Sequence, residues 1–177
     1  MSRTIPTINT PSLTLRGMRT EDFKRFAQIW ATPEVVAYVG GGPWTRARCW
    51  DSFLRNAGHW QIVGFGQWGI QIHGHSEIAG QTGFFYGSRS LGEDFDPYPE
   101  AGWIVAPEHQ GKGFARNAAS AAHDWFDRVV AMRTVCMISA GNEASLGVAE
   151  TLGYAPMREA EIDGQDVLLM TRKGPPV

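Results

Sequence analysis

One stretch of the chain, residues 103–115, reads WIVAPEHQGKGFA and has the composition of an anion-binding turn. Gly111 and Gly113 stand directly before a predicted helix that begins at Phe114. The start of a helix offers unpaired N–H groups and the positive end of the helix dipole, and glycine lets the backbone approach an anion closely. We therefore predict a pyrophosphate cradle made of backbone, with Lys112 as an additional charge. An ordinary strand-to-helix turn is the alternative interpretation.

A second motif follows about 30 residues later, with one predicted strand, residues 134–139, between the two. Asn142 and Ser145 open the next predicted helix, and Gly153 with Tyr154 closes it. Asparagine is a good helix N-cap and glycine commonly follows a helix end, so both positions also have a purely structural interpretation. Core packing is the expected role of Tyr154. The ordered pair of motifs is more specific than either motif alone.

Two other patterns resemble known sites but lack the context that these sites need. Gly64, Gly66 and Gly69 have the spacing of a dinucleotide-binding turn, yet a predicted helix precedes them and an alternating strand follows. His73 and His75 could share one face of a strand as metal ligands, but no third ligand is close in sequence. Surface histidines are the simpler interpretation, and no metal site is expected.

Composition limits the classes of protein that the sequence can encode. The chain has 177 residues, a net charge of −2 and 43 % hydrophobic residues, which excludes a disordered chain. Lysine and arginine are not clustered and no apolar run has membrane-spanning length, so we expect neither nucleic acid nor a membrane as a partner. The two cysteines are far apart, and the N-terminus lacks a signal-peptide pattern. We predict a single domain over residues 1–177 and a cytoplasmic location.

The hydrophobic spacing predicts the elements that position these motifs. The early segments have helical spacing, and from Trp68 the period changes to the two-residue alternation of strands. The clearest helix covers residues 114–129, and Asp163-Gly164 is the predicted turn of a final hairpin. The resulting order, β-αα-β-β-β-α-β-α-β-β, favours an α/β (α+β) fold with a mixed sheet. Residues 86–99 are predicted to form a long, acidic loop.

Together the two motifs resemble those of the Gcn5-related N-acetyltransferases. The resemblance is carried by the turn Gln110-x-x-Gly113-x-Ala115, by the second motif, and by the segment TPEVVAYVGGGPWT at residues 32–45. More narrowly, these features are similar to the branch that acetylates the N-termini of ribosomal proteins, the RimJ/RimL type. The similarity extends over almost the whole chain, from residue 13 to about residue 172.

The resemblance implies a mostly antiparallel central sheet, flanked by helices, in which two parallel central strands splay apart. Acetyl-CoA would lie between these strands, which are predicted here at residues 101–106 and 134–139. Its pantetheine arm would pair with strand backbone, its pyrophosphate would bind the glycine turn, and an asparagine would contact the pantetheine. The cofactor-binding residues implied are Ile104, Val105, Ala106, Gln110, Gly111, Lys112, Gly113, Phe114, Ala115 and Asn142.

The reaction that the resemblance implies is attack of a neutral amine on the thioester, which requires a base. Related enzymes often carry a glutamate at the position of Glu100 that acts through water, although a solvated strand-end glutamate is the alternative. Asp94 and Asp96 are further candidates for the base. Ser145 would lie near the sulfur and protonate the leaving thiolate. Trp44, next to three glycines, is a candidate for substrate binding on a loop.

The sequence leaves the acceptor open among protein α-amines, antibiotics, polyamines and amino acids. It also leaves two other functions open, a module that binds coenzyme A without turnover and an acyltransferase that uses another acyl-CoA. The oligomeric state is not determined by the sequence, which is compatible with a homodimer.

Overall fold

The computed structural model describes residues 3–39 and 41–175 of the chain. These residues form eight β-strands and five α-helices, with two 3₁₀ turns at Thr20–Asp22 and Pro107–His109. The strands are β1 (Ile8–Asn9), β2 (Leu13–Arg16), β3 (Gln67–Ile72), β4 (Gly80–Phe85), β5 (Glu100–Val105), β6 (Thr134–Ser139), β7 (Ala155–Ile162) and β8 (Gln165–Arg172). The helices are α1 (Phe23–Trp30), α2 (Pro33–Val36), α3 (Arg46–Ile62), α4 (Phe114–Val129) and α5 (Glu143–Thr151).

The strands form one sheet in the order β1-β2-β3-β4-β5-β6-β8-β7. Neighbouring strands are antiparallel except for β5 and β6, which are parallel. A parallel pair requires a crossover connection, and α4 supplies it. The predicted mixed, mostly antiparallel sheet with a parallel central pair is therefore confirmed.

The two parallel strands separate almost as soon as they have paired. Glu100 and Val135 are the one aligned residue pair between β5 and β6 in the described part of the chain. The N–H of Val135 donates to the carbonyl of Pro99 at 3.0 Å, which closes the narrow end of the opening. Towards Val105 and Ser139 the facing edges of the two strands diverge. This opening is the splayed cleft that the sequence resemblance implied.

The two faces of β5 pack against different helices because its side chains alternate. Val105 belongs to the same buried cluster as Ala118 and Phe126 of α4. Ile104 points to the opposite face, where it packs against Ile29 of α1 and neighbouring residues. The cleft therefore has α4 on one side and α1 on the other.

Two parts of the fold differ from the expectation. Strand β1 was not predicted, because two residues are too short to show a period. The predicted strand from Ile78 begins at Gly80 instead. The 86–99 loop is folded back on the sheet, and its Phe95 is only 2 % exposed.

Candidate active site

The glycine turn has the backbone conformation of an anion cradle. Gly111 and Gly113 have φ angles of +71° and +79°, in the left-handed region that favours glycine. Gly113 is the N-cap of α4, so the N–H groups of Phe114, Ala115 and Arg116 have no partner within the helix, and the first intrahelical bond runs from the Asn117 N–H to the Gly113 carbonyl at 3.0 Å. A Cβ added at either glycine would meet no described atom within 4 Å. The first turn of α4 therefore faces open space with its N–H groups and its positive dipole end.

Two side chains hold this turn against the rest of the fold. Gln110 Nε2 donates to the carbonyl of Val105 at 2.9 Å, which fixes the turn to the end of β5. Lys112 Nζ donates to the carbonyl of Glu108 at 2.9 Å. The ammonium group of Lys112 is therefore bonded beside the turn, on an exposed residue.

The cleft edge of β5 is formed only in part by the residues that were expected. The N–H of Ala106 donates to the carbonyl of Ala79 at 2.8 Å, towards β4. Backbone groups of an antiparallel strand alternate between its two edges, so the backbone of Ile104 also faces β4. The expectation that the pantetheine arm pairs with the backbone of Ile104 and Ala106 is therefore corrected, because these backbone groups bond to β4. The backbone groups of Trp103 and Val105 face the cleft. This assignment depends on the register between β4 and β5, which the sequence alone does not give.

Trp103 also joins β5 to α5 through its side chain. Its Nε1 donates to Ser145 Oγ at 3.3 Å, and Asn142 Oδ1 accepts from the Ser145 N–H at 3.2 Å. The indole can only donate, so the Ser145 hydroxyl accepts there and keeps its own proton for another acceptor. Asn142 is the N-cap of α5, as the sequence predicted, and its role toward the cosubstrate stays a prediction.

Glu100 lies at the narrow end of the cleft and is only 4 % exposed. Arg89 forms a bidentate ion pair with it, with Nε 2.7 Å from Oε2 and Nη2 2.9 Å from Oε1. Burial raises the pKa of Glu100 above its ordinary value, although the Arg89 guanidinium acts in the opposite direction. The carboxylate is thus buried and paired, and the solvated strand-end glutamate considered from the sequence does not describe it.

The two loop aspartates have structural partners. Asp94 pairs with Arg158 at 2.8 Å, which holds the pKa of Asp94 below its ordinary value. Asp96 accepts from the N–H groups of Arg89 and Gly92 at 3.2 and 2.8 Å. Both aspartates therefore stabilise the 86–99 loop.

Trp44 lies in an aromatic stack between α1 and α3. Its ring is 4.0 Å from that of Trp30 with an interplanar angle of 13°, and the Arg48 guanidinium lies 4.3 Å from its centroid. The preceding segment reaches across the cleft, because Ser139 Oγ at the end of β6 donates to the carbonyl of Tyr38. Trp44 is therefore held by packing, and its contact with substrate stays a prediction.

Within the described residues, no three histidine, cysteine, aspartate or glutamate side chains are grouped so that they could hold a metal ion. None of the helices in residues 3–39 and 41–175 is long and apolar enough to cross a membrane.

The comparisons with known proteins identify the class to which this fold and cleft belong. The model of the acetyltransferase (GNAT) domain matches residues 12–155. A GnaT-family acetyltransferase from Bordetella pertussis is 28 % identical, with 95 % of this chain and 99 % of that chain covered and a TM-score of 0.84. An acetyltransferase from Agrobacterium tumefaciens is 31 % identical, with coverages of 97 % and 96 % and a TM-score of 0.81. The uncharacterized N-acetyltransferase p20 of Bacillus licheniformis is 26 % identical over 150 residues, which are 84 % of this chain and 82 % of p20.

The chain belongs to the GNAT acetyltransferase family and is an acetyl-CoA-dependent enzyme. Two more distant structures share the fold and hold coenzyme A. Spermidine N-acetyltransferase from Vibrio cholerae, in complex with CoA and spermine, is 20 % identical with a TM-score of 0.73, and covers 93 % of this chain and 97 % of its own. RimL, a ribosomal-protein α-N-acetyltransferase in complex with coenzyme A, is 17 % identical with a TM-score of 0.75, and the coverages are 95 % and 98 %.

Proposed function

We propose that this enzyme transfers the acetyl group of acetyl-CoA to a primary amine, either a protein N-terminal α-amine or a small-molecule amine, by direct attack. The observation that carries the proposal is the opening between β5 and β6 beyond Glu100 and Val135, which ends beside the open glycine turn. A cleft of this form can hold an extended thioester along one strand edge and its phosphates on backbone N–H groups. One domain, residues 1–177, performs the reaction.

The groups that the cleft leaves open support the following binding mode for the cosubstrate. The pantetheine arm pairs with the β5 edge at Trp103 and Val105, where the Val105 carbonyl is engaged and its N–H is the donor. The pyrophosphate binds the N–H groups of residues 110–115 at the start of α4. Asn142 donates its amide to the pantetheine.

The chemical step needs a base on one side of the thioester and an acid on the other. The amine nitrogen attacks the carbonyl carbon, the new C–N bond forms, and its proton passes to Glu100 through a water molecule. The C–S bond then breaks, and the thiolate takes the hydroxyl proton of Ser145, which the Trp103 indole leaves available; Glu100 then releases its proton to solvent and Ser145 regains one from solvent. A backbone N–H on the cleft edge of β5 stabilises the negative charge on the thioester oxygen.

The proposed acceptor follows from the family and from amine chemistry. The segment 32–45 resembles the RimJ/RimL branch, and RimL shares the fold, which favours a protein N-terminal α-amine. Spermine in the Vibrio cholerae complex supports a small-molecule amine as the second possibility. The chain segment around Tyr38 bonds to Ser139 at the end of β6, which supports this segment, together with Trp44, as the proposed wall on the acceptor side.

A thiol-release screen against N-terminal peptides, polyamines, amino acids and aminoglycosides tests the proposal, with calorimetry of CoA binding alongside. We expect acetyl-CoA to bind, and CoA release to require an amine that becomes acetylated. Binding without release for every amine would instead indicate a non-catalytic CoA module. Faster release from another acyl-CoA would indicate a different acyl donor.

A further inference from the structure

The 86–99 loop delivers one arginine to the carboxylate at the narrow end of the cleft. Arg89 contacts both oxygens of Glu100, and its side chain remains 31 % exposed while that of Glu100 is 5 % exposed. The Arg89 guanidinium therefore covers the side of the Glu100 carboxylate that the rest of the protein leaves open. A bidentate arginine–carboxylate pair fixes the orientation of the carboxylate as well as its charge.

The loop backbone adopts an uncommon conformation around this arginine. Ser88 and Ser90, on either side of Arg89, have φ angles of +47° and +60°, which are unusual for residues with a side chain. Asp96 holds this conformation by accepting from the N–H groups of Arg89 and Gly92. Strained backbone of this kind persists only where its surroundings impose it, and here it aims one guanidinium at Glu100.

Gly87 leaves the space that the carboxylate occupies. A Cβ at this position would lie 2.7 Å from Glu100 Oε2 and 3.0 Å from Arg89 Nε. A side chain there would therefore displace the carboxylate and the guanidinium from their present positions. Gly87 therefore makes room for the ion pair between Arg89 and Glu100.

The far half of the loop is fixed to β6, the strand that pairs with Glu100. Phe95 is buried in a cluster with Val135, Val167 and Leu169. Val135 is also the residue aligned with Glu100 across the narrow end of the cleft. The loop is thus held to both strands at the place where they begin to separate.

The charged and titratable groups around Glu100 leave Arg89 as its one contacting cation among the described residues. Asp96 of the loop raises the pKa of Glu100 by charge repulsion, and Asp163 of the β7–β8 turn acts on Arg89. The Cys136 thiol of β6 is neutral, because burial raises its pKa far above the ordinary value. Without Arg89, a carboxylate that is 4 % exposed would be driven to the protonated form.

We propose that Arg89 is a positioning residue that keeps Glu100 ionised and oriented for accepting the proton of the attacking amine. The 86–99 loop is the element that supplies this counter-charge. Arg89 exchanges no proton itself, since its guanidinium stays protonated throughout. The inference rests on the proposed role of Glu100 as the base and adds the device that makes a buried glutamate usable at neutral pH.

The test compares the pH dependence of kcat/KM, expressed per concentration of neutral amine so that the titration of the acceptor itself is removed. In Arg89→Gln, we expect the acid limb to move to higher pH by at least about one unit, because an adjacent opposite charge typically lowers a carboxyl pKa by 1–3 units. Arg89→Lys keeps the charge and should restore most of the shift. Arg158→Gln is the matched control, because it removes a β7 arginine that pairs with Asp94 of the same loop and does not contact Glu100.

A second measurement reads the charge of Glu100 without catalysis. The carboxyl ¹³C shift of Glu100, assigned by its loss in Glu100→Gln, should titrate at higher pH in Arg89→Gln than in the native enzyme. An unchanged titration in Arg89→Gln, or an equal shift in Arg158→Gln, overturns the proposal. If the native enzyme acetylates no amine, the proposed function fails, and this titration still decides whether Arg89 controls the charge of Glu100.

Discussion

The indole Nε1 of Trp103 donates to Ser145 Oγ at 3.3 Å, across the open side of the cleft between β5 and α5. The contact gives the serine hydroxyl a defined direction, because its lone pair is engaged and its proton is not. Ser145→Ala should lower kcat by about 10²–10⁴-fold if the hydroxyl protonates the thiolate.

Trp103→Phe keeps an aromatic ring and removes the donor, and should lower kcat by a smaller factor with little change in CoA affinity. Because the indole acts through the hydroxyl, the double variant should be no slower than Ser145→Ala alone. Pre-steady-state rates of the four proteins give the comparison. Additive losses would mean that Trp103 does not act through Ser145.

Gly113→Val should weaken CoA binding by more than tenfold, about 1.4 kcal/mol. The new side chain would occupy the open space where the phosphate approaches the start of α4. Because the φ angle of Gly113 is +79°, valine also strains the backbone, and a control must carry the same strain. Gly164→Val is that control, since Gly164 has a φ angle of +76° and a Cβ there would also meet no described atom within 4 Å.

Calorimetric titration with CoA and thermal unfolding should be recorded for both valine variants. We expect both to lose stability and only Gly113→Val to lose affinity. Equal CoA affinities in the two variants, with both folds intact by circular dichroism, would show that the glycine turn does not bind the cosubstrate.

Glu100→Gln should slow the chemical step by about 10²–10⁴-fold while CoA binds with nearly native affinity. The reason is that Glu100 lies at the narrow end of the cleft, and the glycine turn follows the opposite end of β5. Glu159→Gln, on an exposed position of β7, is the matched control. Single-turnover acetyl transfer within about threefold of the native rate would show that Glu100 is not the base.

The acceptor preference should appear in the pH dependence of the rate. A peptide α-amine titrates near 7.7–8.0 and a lysine amine near 10.4, so roughly a tenth of the former and well under a thousandth of the latter is neutral at pH 7. With a peptide that has a free α-amine, kcat/KM per total amine should rise from pH 6 and level near 8. Faster turnover of an N-terminally blocked peptide containing lysine would contradict the α-amine preference and leave acetyl transfer itself unaffected.

His123 should make folding stability depend on pH. Its Nδ1 donates to the carbonyl of Ala119 at 2.7 Å, so its Nε2 accepts from the hydroxyl of Tyr154 at 2.9 Å, and burial lowers the pKa of His123 to about 4. In the unfolded chain His123 is protonated below about pH 6.5, whereas in the folded chain it is protonated only below about pH 4. Stability should therefore fall over that interval as the pH is lowered, by roughly 3 kcal/mol in total.

Urea unfolding at a series of pH values measures this effect. His123→Gln should be less stable near neutral pH and should lose less stability between pH 6.5 and 4. The same pH slope in both proteins would place the acid sensitivity elsewhere.

The strand, glycine turn and helix around residues 100–129 could be predicted from the sequence because their signals are local. A positive φ angle requires glycine at residues 111 and 113, and the apolar period of α4 is carried by its own residues. The N-cap role of Asn142 was predicted for the same reason, since a cap bonds to the N–H group three residues ahead.

The parts that sequence reasoning missed depend on contacts between distant residues. Whether Trp103 or Ile104 faces the cleft is decided by the pairing of β5 with β4, and the sequence carries no sign of that register. The counter-charge of Glu100 comes from a loop with no periodicity, and aspartate side chains together with a single buried phenylalanine set its path. Trp44 is still predicted to contact substrate, and no local pattern in the sequence indicates that it stacks on Trp30 of α1.

The junction between β5 and β6 divides the sheet into two groups of strands, and we call this junction the seam. Among the described residues, one aligned pair joins β5 to β6. The three strands β6, β8 and β7 are therefore connected to the other five strands mainly by side-chain contacts. Phe95 of the 86–99 loop supplies one of these contacts. A cosubstrate that bonds to the β5 edge and to Asn142 spans this seam. On the proposed binding mode, acetyl-CoA would therefore connect these two groups of strands, and we expect bound cosubstrate to slow amide hydrogen exchange in both of them.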